Sequence, residues 1–411
     1  MSYQAPILVV SSGDRAALVT ALSTAKLFPL IDAGWTDARD AVKRLQPAAV
    51  IVAGRGAEPS FGALAQQVAA MTPYVPLIAI DPADRSPDNA IPFVATDGNF
   101  DRLGARLRAA LRVRTLHATV LRRLASDSGA LPRLPDTDPI QDATVLLIGR
   151  GAAYPALSVA LGERLGVVGA LSVEAAAKHL NTRDLDGIIL GEGFSPRVVD
   201  AFLTVLSEDS RFRNFPIVVT APGPTTSYDL PNLEFALGDP AHIVADAMPL
   251  IRQHAFEARL SRTLKSLDAG GLLDPRTGLL TLDAFNRDFA TAVYQTQTRG
   301  GGLAVARFAL TRQDPRAQLD AARIISRLMR RMDFGVLQDD GTVLVVFAET
   351  DLRSAQAIAR RLSSVMKQTS HGARREQRID PEVTLATLLP TDSARSVLAR
   401  LLEHDARRAA S

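Results

Sequence analysis

Short runs of β-branched and aliphatic residues alternate with amphipathic stretches through the first two thirds of the chain. That rhythm predicts parallel sheets joined by crossover helices. The run ILVV after Pro6 predicts a buried first strand, with a helical pattern following from about Asp14 to Leu27. AVIVA (49–53), PLIAI (76–80) and IPFVA (91–95) read as further central strands, and a helix runs from about Phe100 past Leu111 to Leu124. The stretch ASDSGALPRLPDTDP, rich in Pro, Ser, Gly and Asp, reads as a linker. Beyond it the cycle restarts. ATVLLIG (143–149), GIILG (187–191) and PIVVTA (216–221) repeat the roles of the first three strands, and a helix follows from about Ala241 to Leu267. Two tandem copies of one α/β unit are expected. The last third changes character: LAVARFAL (303–310), a hairpin over 334–347, a helix over 350–366 and a late strand VTLATL (383–388).

Length and composition narrow the function classes. At 411 residues the chain predicts two to four domains, each able to bury a core. No stretch of eighteen apolar residues occurs, so no membrane span is expected. The start lacks a basic region followed by a long apolar run, so no signal peptide is expected either. With no cysteine there is no disulfide framework, thiolate nucleophile or Cys-based metal site, which fits a cytoplasmic protein. A net charge of +3 with interspersed signs gives no nucleic-acid stripe.

Both copies resemble the receiver domains of response regulators, whose doubly wound fold holds Mg²⁺ with acidic residues after its first strand. That family phosphorylates an Asp at the end of the third strand and pairs the phosphoryl group with a Lys after the fifth. In the first copy those positions hold Ser11 and Ser12, Ala53 and about Thr96. In the second they hold Gly149 and Arg150, then Gly191, and no lysine occurs between Lys178 and Lys265. Thr220-Ala221 matches the family's switch threonine, and Asp14, Glu192 and Asp186 lie nearby in sequence. Without metal ligands, nucleophile and countercharge, no phosphotransfer is expected. Dimerisation or partner docking is the remaining role.

The third unit resembles the GGDEF domain of diguanylate cyclases. The resemblance starts at Asp274-Pro275-Arg276-Thr277-Gly278-Leu279, keeps Phe285 in register, and covers about 265–411. Where that family places Gly-Gly-Asp/Glu-Glu-Phe, this hairpin reads Asp339-Asp340-Gly341-Thr342-Val343. Arg307 stands about where a metal-binding Asp is expected. The stretch from Arg307 to Arg330 is too short for the family's guanine-reading segment. The turn also lacks the two glycines that let backbone approach phosphates. The resemblance therefore implies no catalysis and no bound metal.

The family's inhibitory Arg-x-x-Asp motif falls at Arg330 and Asp333, at its prescribed distance from the turn. Elsewhere the same pattern, at Arg85, Arg133, Arg183 and Arg197, carries no such context. Arginine can bond guanine O6 and N7 with two parallel donors, and an aspartate can accept from guanine's Watson–Crick edge. The resemblance adds an arginine on the helix after the hairpin, for which Arg361 is expected and Arg360 is its neighbour. The bland alternative is a surface ion pair worth little. His371 is expected in a solvated loop, with Arg374, Arg375 and Arg378 on a charged hairpin edge. Trp35 is expected at a helix–strand junction.

The expected organisation is a receiver-like unit (1–125), a linker (126–142), a second receiver-like unit (143–264) and a degenerate GGDEF unit (265–411). Each receiver-like unit is expected as a flavodoxin-like, doubly wound parallel sheet. The receiver–receiver–GGDEF order, with degenerate receivers and a broken catalytic turn beside a retained inhibitory motif, implies by resemblance a non-catalytic cyclic di-GMP effector, homodimeric through its receiver units. By the same resemblance it would be an adaptor in signal transduction and cell-cycle control. It would work at a cell pole with other adaptor proteins, delivering substrates to the ClpXP protease. A residually active cyclase using Asp339 and Asp340, or a nucleotide-independent scaffold, are the alternatives.

Overall fold

The computed structural model describes the chain apart from residues 1–4, 12–15, 25–28, 55–57, 83–85, 96–99, 127–133, 222–227, 311–313, 368–369, 372–380 and 410–411. Ser12, Asp14, Thr96, Arg374, Arg375 and Arg378, with much of the expected linker, lie outside the described residues.

In the first unit, strands β1 (Ile7–Ser11), β2 (Leu30–Ala33), β3 (Ala49–Ala53), β4 (Leu77–Ile80) and β5 (Ala90–Phe93) form a parallel sheet in the order β2-β1-β3-β4-β5. This is the flavodoxin-like doubly wound order. Helices α1 (Ala16–Thr24), α2 (Ala38–Leu45), α3 (Glu58–Ala69) and α4 (Leu103–Ser126) accompany it. The strands read as unbroken apolar runs because both faces are covered. Ile7, Val9 and Ile51 enter one core, whereas Leu8, Val10, Val50 and Val52 enter the other. Trp35 sits between β2 and α2, its ring edge-on to Phe61 at 5.8 Å.

The second unit repeats the order with β6 (Thr144–Ile148), β7 (Gly166–Ala170), β8 (Gly187–Leu190), β9 (Ile217–Val219) and β10 (Leu233–Phe235). Its helices are α5 (Tyr154–Gly162), α6 (Val173–Thr182), α7 (Pro196–Glu208) and α8 (Pro240–Asp268). Ile140, in the expected linker, is buried in this unit's core beside Val145 and Met248.

Among the described residues no helix joins β4 to β5 or β9 to β10. Each unit lends the other a helix at that side. Leu250 of α8 enters the first unit's core with Phe93 and Leu107. Arg106 of α4, fully buried, reaches across to Glu234 on β10 at 2.6 Å. Between them, Val113 and Val120 of α4 pack with Leu260 of α8.

In the third unit, β11 (Leu303–Leu310), β12 (Phe334–Leu337), β13 (Val343–Ala348) and β15 (Pro381–Thr387) make an antiparallel sheet in the order β12-β13-β11-β15. Helix α9 (Leu282–Arg299) precedes it, α10 (Pro315–Leu328) and α11 (Leu352–Met366) connect its strands, and α12 (Ala394–Ala409) closes the chain. The connectivity is the βαββαβ pattern. Alternation along β11 sends Ala304, Ala306 and Phe308 towards α10 and α11, and Leu303 and Val305 towards Phe285 and Phe289 of α9. One expected loop is instead paired as a strand. Ser370 and His371 form a short strand β14, antiparallel to β7 of the second unit, rather than a solvated loop.

Candidate functional site

Helix α10 ends at Leu328, where the Met329 N–H still donates to the Ile325 carbonyl. The chain then turns tightly, the Asp333 N–H donating to the Arg330 carbonyl at 3.0 Å, and enters β12 at Phe334. This turn places the two motif residues together. Arg330 is exposed, while Asp333 is 7% exposed and lies against the end of β13. One carboxylate oxygen of Asp333 accepts from the Ala348 N–H at 3.2 Å; the other is buried and makes no hydrogen bond. Burial raises the Asp333 carboxyl above the usual range, against the opposing pull of the Ala348 amide and the Arg330 guanidinium. Such an oxygen is an acceptor waiting for a donor.

Arg361, also exposed, comes to the same place from α11. Its guanidinium donates to the Leu328 carbonyl at 3.4 Å, two residues before Arg330. Its neighbour Arg360 faces elsewhere, lining a groove of about 420 Å³ with Gln356, Lys367 and Leu385. One helix face therefore separates the two arginines that sequence alone left side by side.

The hairpin tip is closed on itself. Gln338 N–H donates to the Thr342 carbonyl at 2.8 Å, and Gly341 N–H to the Gln338 carbonyl at 2.9 Å. Gly341 has φ +80°, the left-handed region in which glycine is at ease. Asp340 accepts from the Thr342 amide at 2.9 Å and from its hydroxyl at 2.7 Å. Burial works against ionisation of Asp340, but those bonds and the charge of Arg307 on β11 hold its carboxyl below the usual range. Gln318 of α10 covers the turn so closely that a Cβ on Gly341 would lie 1.8 Å from its amide nitrogen. Among the described residues no group of three or more His, Asp or Glu side chains is gathered to hold a metal. The opening motif is a structural turn: Asp274 accepts from the Arg276 amide at 3.0 Å and the Thr277 hydroxyl at 2.7 Å.

In the second unit, Gly149 and Gly191 meet at the C-terminal end of the sheet, where a Cβ on Gly191 would lie 3.2 Å from the Ile148 carbonyl. Asp186, expected near these positions, stands instead at the opposite end of β8. There it accepts from the Thr144 amide at 3.0 Å and meets His254 at 3.4 Å. In the first unit Ser11 is buried and Ala53 ends β3.

No family model matches the sequence, and no curated protein matches it. Solved structures resemble about a third of it. One is the coiled coil and GGDEF domain of DgcB from Caulobacter crescentus in complex with c-di-GMP, 15% identical over 37% of this chain and 88% of that one, with TM-score 0.31. A sensory box/GGDEF family protein from the same organism is 18% identical over 31% and 91%, with TM-score 0.27. The FimX GGDEF domain from Pseudomonas aeruginosa is 20% identical over 32% and 90%, also with TM-score 0.27. These neighbours are GGDEF proteins. Among the described residues no helix is long and apolar enough to cross a membrane.

Proposed function

We propose that this chain is a non-catalytic cyclic di-GMP effector, with Arg330, Asp333 and Arg361 as its ligand residues. The observation that carries the reading is the buried carboxylate oxygen of Asp333 left without a donor, in a turn shared with Arg330 and overlooked by Arg361. A guanine edge offers N–H donors to the aspartate and acceptors O6 and N7 to an arginine. The hairpin tip supports the other half of the reading. Asp340 is engaged by Thr342, Arg307 occupies the first strand, and Gln318 covers Gly341, so the tip is closed to a triphosphate. Purified protein with GTP and Mg²⁺ is expected to yield no cyclic di-GMP.

In this reading the first two units are degenerate receivers that dock partners and pair two copies of the chain. This reading fits an effector of the PopA type. Such an effector is a cytoplasmic adaptor, placed at a cell pole, that brings cell-cycle regulators and other adaptors to the ClpXP protease when the dinucleotide is bound. Ligand can drive that switch only by binding one domain arrangement more tightly than another.

Calorimetric titration with cyclic di-GMP tests the site. Losing one bidentate arginine, worth about 1–3 kcal/mol, weakens binding about 5- to 150-fold in Arg330→Ala. Unchanged affinity in that variant removes the assignment. No binding by the wild type at millimolar ligand favours a nucleotide-independent scaffold instead.

A further inference from the structure

One face of α10 is given over to the second unit. Asp320, Arg323 and Arg327 follow one another at spacings that put them on a single side of the helix. Asp320 pairs with Arg183 at 3.5 Å, and Arg327 pairs with Asp184, the next residue along the second unit's chain. Between them Arg323 donates to the Asp142 carbonyl at 2.7 Å and to the Arg276 carbonyl at 2.9 Å. Arg183, which caps the C-terminus of α6, has no exposed side-chain surface. Besides Asp320 on α10, it donates to the Val365 carbonyl on α11.

Arg183 is thus wedged between the two helices that present the ligand residues. Arg330 follows Arg327 by three positions, just beyond the end of α10, and Arg361 stands one turn before Val365 on α11. The separation of α10 from α11 also fixes whether Arg361 can reach the Leu328 carbonyl and the turn behind it.

We infer that Arg183 of the second unit is a positioning residue for the Arg330–Asp333–Arg361 site, holding α10 and α11 at the spacing that ligand requires. The inference rests on the site reading above and adds its regulation. Docking of the second unit preorganises the pocket, so it raises cyclic di-GMP affinity. By reciprocity the ligand strengthens docking by the same factor. A partner that pulls the second unit away lowers affinity, and ligand resists the pull.

The test is calorimetry with cyclic di-GMP on the full chain, well below the thermal transition. Arg183→Ala is expected to bind about tenfold more weakly, within the usual range of coupling between sites. Because that variant leaves Asp320 buried without its partner, a gentler pair accompanies it. Asp184→Arg sets two like charges against each other at a half-exposed position and is expected to weaken binding several-fold. Adding Arg327→Asp restores the pair and returns affinity to within about twofold of wild type. A merely structural arginine would lower the melting temperature and leave the affinity of folded protein unchanged. Wild-type affinity in both Arg183→Ala and Asp184→Arg, with Arg330→Ala still impaired, overturns the coupling alone. Absence of binding in the wild type overturns the coupling and the site together.

Discussion

Removing Arg106 tests how the first two units are held together. Its guanidinium is fully buried and donates to the carbonyls of Pro231 (2.5 Å), Pro92 (2.6 Å) and Leu233 (3.2 Å) and to the Glu234 carboxylate (2.6 Å). Arg106→Ala strands Glu234, itself 4% exposed, and leaves Arg102 at 3.6 Å as its remaining ion-pair partner among the described residues. Breaking a buried pair by removing one partner costs about 3–5 kcal/mol. Trp35 is the only tryptophan and lies in the first unit, so its fluorescence reports that unit's urea transition. With a urea dependence near 2 kcal/mol per molar, the midpoint falls by about 2 M. The pH dependence is a second signature. Burial already pushes the Glu234 carboxyl up against the pull of Arg106 and Arg102, and without Arg106 it rises further. A carboxyl whose folded pKa exceeds its unfolded one loses stability as pH rises through that interval, so the deficit of Arg106→Ala is larger at about pH 8 than at pH 5. Replacing both partners, as Arg106→Met with Glu234→Leu, recovers most of the loss. A midpoint shift under about 0.3 M in the single variant would refute the reasoning.

Two further outcomes are expected. Asp333 must be ionised to accept from guanine, and burial raises its pKa; cyclic di-GMP affinity is therefore full above that pKa and falls about tenfold per pH unit below it. Calorimetry across acidic pH reads this slope, which Asp333→Asn abolishes. Gly335→Ala would put a Cβ 2.6 Å from the Leu344 carbonyl across the hairpin, costing about 1–3 kcal/mol in thermal stability. Gly62→Ala in α3, where nothing lies within 4 Å, is neutral or stabilising by up to about 1 kcal/mol, and equal melting temperatures for these two variants would contradict the packing argument.

What could be read from sequence followed the range of the forces involved. Central strands such as ILVV and AVIVA announce themselves because burial on both faces demands unbroken apolar runs. GVVGA, which forms β7, was hidden by its two glycines, and the two-residue β14 has no local signal at all. That Arg330 and Asp333 lie in one place is legible because a single tight turn joins them. Arg361 could be placed only through resemblance, and its hydrogen bond to Leu328 is what separates it from Arg360. Gln318 over the hairpin, and Arg183 between α10 and α11, are tertiary placements that no spacing encodes. Asp186 misled because nearness along the chain hid the length of β8, which carries it to the far end of the sheet.

The pairing of β14 with β7 has a bearing on biosynthesis. The edge that β7 offers is met by a segment about 200 residues downstream, so the second unit leaves the ribosome with that backbone unpaired. The contacts of Arg183 with Asp320 and Val365 also form only once those later residues have been made. Until the third unit has been made, this middle portion lacks those contacts and benefits from a chaperone's cover.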